Sequence, residues 1–171
     1  MTSKIIIKNT SDADSRTAGD DLTKEGLYDA TVTHIDDVTR IMDFFGEQLH
    51  EIGLKHDWTK VGANFDDYSE VVLAGLSEEE FEQTEWCQRH YFEERHHVND
   101  DAKPDVNLLD CLEHIADVVS AGKGRTGHVS SKYCDISPLL LYRMYWNTIR
   151  LLDDIIEVED ESKELKENLE Q

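Results

Sequence analysis

The sequence predicts an all-α fold: a single compact helical domain of about five helices over residues 29–157, led by an irregular N-terminal arm (1–28) and followed by an acidic tail (158–171). Three observations predict it. Apolar residues recur at steps of three and four along several segments, as they do on one face of an α-helix. Capping residues and glycines punctuate those segments. A chain of 171 residues with 39% hydrophobic content fills one sizeable core and is too short for two comfortable domains.

Taken in order, the arm opens with Ile5-Ile6-Ile7, which reads as one edge strand, and continues through Ser, Thr, Asp and Gly without a helical period. From Asp29 to Gly53 the residues Val32, Ile35, Val38, Ile41, Phe45, Leu49 and Ile52 mark one helix face, and Gly53 is the expected stop. His56 to Tyr68 is less periodic and rich in Asp and Gly, consistent with a short helix or a helix start. Ser77 before Glu78-Glu79-Glu80 is an N-cap with acid in the first turn, opening a helix expected to reach His97. Val98 to Asp105 is a loop, Val106 to Ala121 is amphipathic through Leu108, Leu112, Ile115 and Val119, and Gly122 should end it before a polar loop from Lys123 to Asp135. Ser137-Pro138 then pairs an N-cap with proline at the first helical position, starting a long apolar helix to about Ile156. The acidic tail is expected to fray.

The net charge of −21 repels nucleic-acid backbone and anionic membrane alike, so neither is an expected partner, and a phosphate-bearing substrate needs a local cluster of cations. Cys87, Cys111 and Cys134 are odd in number and lack zinc-ribbon spacing, which reads as three free thiols in a reducing compartment. With no apolar run approaching the roughly 20 residues of a membrane span, a cytoplasmic protein is expected.

The chemistry lies in histidines and carboxylates. His56-Asp57 sets two ligand types side by side, and a divalent ion held by such groups activates water at neutral pH. At 100° per residue His34 falls within about 40° of the centre of its helix's apolar face and is expected to look inward, as a core histidine satisfied by backbone or as a ligand. Glu113 and Asp117 stand one turn apart on the flank of their helix's apolar stripe. His90 shares a side with Trp86 and His97, whereas His96 is turned about 100° from His97, which ranks it lower as a metal ligand and leaves it for substrate. The expected centre is His34, His56, Asp57 and Asp117 about one ion, with His90 and His97 as further ligands or holders of a second. Asp57, Lys60 and Glu113 are the candidate catalytic residues. The run Gly122-Lys123-Gly124-Arg125-Thr126-Gly127 is the cationic exception; it is not a Walker motif, but its glycines and Lys123 and Arg125 suit a substrate phosphate, with a flexible connector as the plainer reading.

The order His34, His56-Asp57, Asp117, with Lys60 completing an HDxxK run, resembles the HD superfamily of metal-dependent phosphohydrolases over about residues 30–120. In more detail, His56-Asp57-Trp58-Thr59-Lys60, Tyr68, Trp86 with His90, His96-His97 and Glu113-His114-Ile115-Ala116-Asp117 with Ala121-Gly122-Lys123 are similar to a phage and bacterial family known only as a domain of unknown function. That family usually has tryptophan where Val118 stands here. The resemblance implies an HD-like helical domain, a divalent metal (Mn, Fe, Co, Mg or Zn), a small nucleotide or related phosphoester as substrate, and the host cytoplasm as location if the chain is phage-encoded. Related HD-type sites also support oxygenase chemistry.

Two other readings stand beside it. Glu78-Glu79-Glu80 with Glu113 and Asp117 superficially resembles the magnesium site of all-α nucleoside triphosphate pyrophosphohydrolases, but lacks their E-x-x-D spacing and leaves the histidines idle. A non-enzymatic acidic phage protein that binds a basic host factor fits the charge of −21. A basic host protein or a second copy of the chain are thus the protein partners expected.

Overall fold

The computed structural model describes residues 4–8, 23–129 and 136–159. The chain is mostly helical, as its periodicity predicts: β1 (Ile5–Lys8), α1 (Lys24–Lys55), two 3-10 turns (Trp58–Lys60 and Gly62–Asn64), α2 (Phe65–Leu73), α3 (Glu78–Glu82), α4 (Glu85–Glu93), α5 (Leu108–Thr126), α6 (Pro138–Ile155) and β2 (Ile156–Glu159). The described residues cluster into two compact units, one formed by those up to Glu47 together with residues 151–159, the other by those between Gln48 and Arg150. Among the described residues no helix is long and apolar enough to cross a membrane.

In the first unit β1 is the edge strand expected at Ile5–Ile7. It pairs in parallel with β2, Ile5 opposite Ile156 through Lys8 opposite Glu159, so the first residues of the expected acidic tail are ordered strand. Ile5, Phe44 and Ile155 form the core with Ile7, Ile41, Phe45, Leu151, Leu152 and Ile156 around them. The buried line of α1 is therefore Ala30, Asp37 and Phe44, with Asp37 paired to Arg40 one turn on. Val32, Ile35 and Val38, expected inside, are exposed, and so is His34.

The second unit is built on Val98, Val106, Cys111, Leu140 and Met144. Thr148 Oγ1 accepts from Leu108 N at 2.9 Å, and Asn147 Nδ2 donates to the carbonyls of Pro104 (2.9 Å) and Val106 (2.7 Å), so α6 holds the loop ahead of α5 and the start of α5 itself. Ser137 caps α6 as expected, its Oγ accepting from Leu140 N. Cys87 and Cys111 are buried free thiols, and Cys134 lies outside the described residues.

Candidate metal centre

Three segments of the second unit bring ligand-type side chains together. The first is the end of α1. Beyond Lys55 the chain turns through His56 and places Asp57 in the left-handed region (φ 57°, ψ 30°), where it is the one non-glycine residue of positive φ among the described residues. Asp tolerates that conformation better than most side chains, for which it costs about 1–2 kcal/mol. The turn reverses the chain so that Lys60 Nζ reaches back to Asp57 Oδ2 at 2.8 Å.

The second segment is α4 with the turn through His97. Thr84 caps α4, accepting from Cys87 N, and the expected single helix from Ser77 to His97 is thereby broken after α3. Trp86 and His90 lie buried on the inner side of α4, their rings stacked at 10° with centroids 5.0 Å apart. The helix ends at Glu93, and Glu94 is extended. Helical spacing no longer applies beyond that point, so the lower rank given to His96 as an inward-pointing ligand is corrected: His96 is only 1% exposed and sits at the heart of the cluster. Two contacts fix this turn. His114 Nδ1 donates to His96 O at 2.9 Å, and Arg95 grips buried Asp110 through Nε–Oδ1 (2.7 Å) and Nη2–Oδ2 (2.8 Å).

The third segment is α5, whose start is a capping box between Asn107 and Asp110. Its buried residues are Leu109, Asp110, Cys111, Val118 and Gly122, while Leu112, Ile115 and Val119 are exposed. The face carrying Glu113 and Asp117 thus turns inward, and the apolar stripe turns out. This helix does not stop at Gly122 but continues to Thr126, with Gly127 (φ 76°) as its left-handed cap. Interior glycines cost about 1 kcal/mol each and do not halt it. The expected glycine loop at Lys123–Gly127 is corrected accordingly: its amides before Gly127 are spent in the helix. Lys123 Nζ donates to Gly127 O and Arg125 Nε to Ala121 O, so both cations serve the carbonyl end of α5, where the helix dipole favours positive charge.

His56 Nε2 stands 3.6 Å from Asp57 Oδ2 and 3.6 Å from Asp117 Oδ1, while Asp57 Oδ1 stands 3.8 Å from both His90 Nε2 and His96 Nε2. These separations are too long for hydrogen bonds. They approach the roughly 3.4 Å edge of a tetrahedron of donors each about 2.0–2.2 Å from a shared ion. Three overlapping groups have donor atoms within 4.8 Å of one another: His56, His96 and Asp117; Asp57, His90 and Glu94; and His90, His96 and His97. His96 Nδ1 stands 3.3 Å from Glu113 Oε1, and Asp57 Oδ1 is buried without a hydrogen-bond partner among the described residues. A buried carboxylate oxygen left so is costly unless a cation satisfies it, and that is the test by which these residues fit a metal.

Hydrogen bonds beneath the cluster decide which nitrogens carry lone pairs. Glu113 Oε1 accepts from His56 Nδ1 at 2.9 Å, leaving Nε2 free to ligate. Thr59 has one hydroxyl proton and gives it to Glu94 Oε1 (2.7 Å), so it must accept from His90 Nδ1 (2.6 Å), which again leaves Nε2 as the lone pair. In the metal-free protein His97 Nε2 donates to that lone pair at 2.8 Å, so an ion held by His90 Nε2 would displace this bond. Burial pushes His90 down to about 4 and His97 down to about 3, with the neighbouring Lys60 and His96 charges adding to it, so both are neutral at pH 7. For His96 burial pulls the same way, but the carboxylates of Glu113, Asp57 and Asp117 outweigh it and raise its pKa. Burial would raise Asp57 and Glu113; Lys60 in the first case and His96 with His56 in the second reverse that, holding both below the usual carboxylate range.

The metal-free protein should therefore be pH-sensitive. His90 and His97 have folded pKa values below the unfolded value near 6.5, so the unfolded chain binds more protons between about pH 6.5 and pH 3, and stability falls as pH drops through that window. Asp57 and Glu113 add to the loss at the acid end. His96 opposes it, its contribution being present below its unfolded pKa and lost as pH rises through the folded one. Urea midpoints measured from pH 4 to 7.5 are expected to rise steeply, and His97→Gln to flatten the slope. A flat wild-type profile would contradict the buried neutral pair.

Of the residues expected from sequence, His56, Asp57, His90, His96, His97, Glu113 and Asp117 come together in one unit. Lys60 is bound to Asp57. His34 is in none of the ligand groups found among the described residues. It is exposed on the part of α1 that belongs to the first unit. Thr59, Glu94, Arg95 and Asp110 went unseen because their bonds span 15 to 35 residues and leave no periodic trace. No protein-family model matches the chain, and neither a curated protein nor a solved structure matches it significantly.

Proposed function

We propose that the second unit is a divalent-metal centre of a phosphohydrolase related to the HD type, acting on a small nucleotide or similar phosphoester. The observation that supports it most is the convergence of His56 Nε2, both oxygens of Asp57, Asp117 Oδ1, His90 Nε2 and His96 Nε2 at ligand-to-ligand spacing around a carboxylate oxygen with no other partner. The mixed imidazole and carboxylate set suits Mn, Fe, Co or Zn better than Mg. A divalent ion there supplies Lewis acidity toward a phosphoryl oxygen and makes a bound water more acidic. Asp57, between the histidine groups, is placed to serve one ion or to be shared by two.

The protein's own groups have distinct tasks. Lys60 keeps Asp57 ionised. Glu113 orients His56, and the Thr59–Glu94 pair orients His90. The side chains of His56, Asp57 and Asp117 are 28, 26 and 34% exposed, so substrate and water approach from that side, while Trp86 and His90 close the back.

The test is turnover of a panel of mononucleotides and bis(p-nitrophenyl) phosphate by chelator-stripped protein resupplied with Mn²⁺, Fe²⁺, Co²⁺, Zn²⁺ or Mg²⁺. Metal-dependent hydrolysis of at least one is expected. Stoichiometric metal without turnover of any would remove the hydrolase reading and leave a binding site. Replacing Lys123 and Arg125 together by Ala is expected to leave kcat, KM and metal content at parental values and to cost about 0.3–1 kcal/mol of stability per charge at low salt. A raised KM in that variant would restore them as substrate contacts.

A further inference from the structure

The second unit carries another feature, unrelated to the metal ligands. Along α6, Arg143, Trp146, Asn147 and Arg150 line a groove of about 890 Å³ together with Tyr142, Leu139 and Asp100. At positions i, i+3 and i+7, Arg143, Trp146 and Arg150 share one helix face, the two arginines two turns or about 10.5 Å apart along the axis with the indole between them. In a chain with 17 Lys and Arg against 38 Asp and Glu, a groove lined by two arginines and one carboxylate is a local inversion of the field. That carboxylate, Asp100, already accepts from Ser137 Oγ at 3.0 Å. Arg143 Nη2 donates to Ala102 O, but its Nε is buried with no acceptor among the described residues, and Arg150 has a neutral partner in Asn147 Oδ1 at 3.3 Å. Trp146 is 42% exposed and Tyr142 61% exposed, so planar apolar surface lies open beside the unspent donors.

Ordinary surface arginines point into water; a buried guanidinium nitrogen without an acceptor is costly and waits for one. Arginine forks match phosphate and carboxylate oxygens, and indole faces take planar rings. We propose that this groove binds a small anion bearing a planar ring, with the size and chemistry of a mononucleotide, its anionic group held by Arg150 with Arg143 beside it and its ring on Trp146. A volume within the 300–1,000 Å³ typical of small-molecule sites accommodates one such ligand.

The test uses the full chain held in chelator, so that the metal centre takes no part, with AMP as probe and adenosine and inorganic phosphate as its two halves. AMP is expected to quench tryptophan fluorescence with one site per chain by calorimetry, and to bind more tightly than either half. Arg150→Gln and Trp146→Phe should each weaken AMP about tenfold or more, as loss of a charge-assisted contact or of a large stacking surface does. Arg143→Gln is expected to act likewise but removes a structural bond to Ala102, so the exposed Arg150 carries the decision. AMP binding that is absent at millimolar concentration, or unaffected by Arg150→Gln and Trp146→Phe, would overturn the proposal, as would adenosine binding as tightly as AMP.

Discussion

Replacing Asp57 by Asn is expected to abolish stoichiometric metal binding while leaving the fold intact. The carboxylate has one oxygen facing His56 Nε2 and the other facing His90 and His96, so it touches every ligand group, and neutralising it removes the charge that draws the ion in. Loss of a group that merely orients a ligand costs 10–100-fold in affinity, so the loss here should be about 100-fold or more. Asn retains tolerance of the left-handed backbone at φ 57°; Ala does not, and Asp57→Ala should lose metal equally but also about 1–2 kcal/mol of stability. The pair of variants thereby separates ligand loss from backbone strain. Calorimetric titration of both with Mn²⁺ or Co²⁺, beside urea melts, reads the two effects. Wild-type affinity in a folded Asp57→Asn would remove this residue from the centre.

The second large effect is expected at Arg95, which touches no proposed ligand atom. Its guanidinium makes a two-pronged bond to Asp110, whose side chain is 3% exposed and which also accepts from Asn107 N at 2.8 Å to cap α5. Asp105 Oδ2 is a third contact at 3.1 Å. Cutting the arginine leaves a buried carboxylate with half its partners, and such breaks cost 3–5 kcal/mol; with the guanidinium one-third exposed, about 3 kcal/mol is expected for Arg95→Ala. Arg95→Lys keeps the charge but not the fork and should recover only part of it. The neighbouring His96 should lose its fixed position, so metal affinity should fall as well. A denaturation midpoint corresponding to less than about 1 kcal/mol of loss would show that water replaces the fork without cost.

Much of this centre is legible from residue types in order. The His56-Asp57 doublet, His90, His97 and Asp117 are ligand chemistries whose spacing over three segments suggests a common site, whereas the caps legible in the sequence, Ser77 and Ser137, open α3 and α6, which bear none of them. What fails is inference by helical angle wherever the helix is not what it seems. His96 is misplaced because α4 ends at Glu93 with no glycine or proline to announce it, the chain leaving the helix where Glu94 turns to bond Thr59. His34 and Val32, Ile35 and Val38 are misplaced because the described core of the first unit gathers about Ile41, Phe44 and Phe45, further along α1. Pairing of Ile5–Lys8 with Ile156–Glu159 joins segments about 150 residues apart, a non-local contact that neither short segment advertises. Gly122 invites a helix stop, yet it is buried within α5, and the left-handed cap falls at Gly127 instead. Sequence periodicity finds the elements; bonds such as Thr59 to Glu94 and Arg95 to Asp110 decide where they end and hence which way the ligands point.

Whether the histidines and carboxylates of the second unit hold a divalent ion is decided by elemental analysis of protein purified without chelator. One or two equivalents of a first-row transition metal per chain are expected, lost in Asp57→Asn and restored to stripped wild-type protein by Mn²⁺, Fe²⁺, Co²⁺ or Zn²⁺. Protein that contains no metal and takes up none of these ions at micromolar concentration, while folded and at neutral pH, would contradict the metal centre.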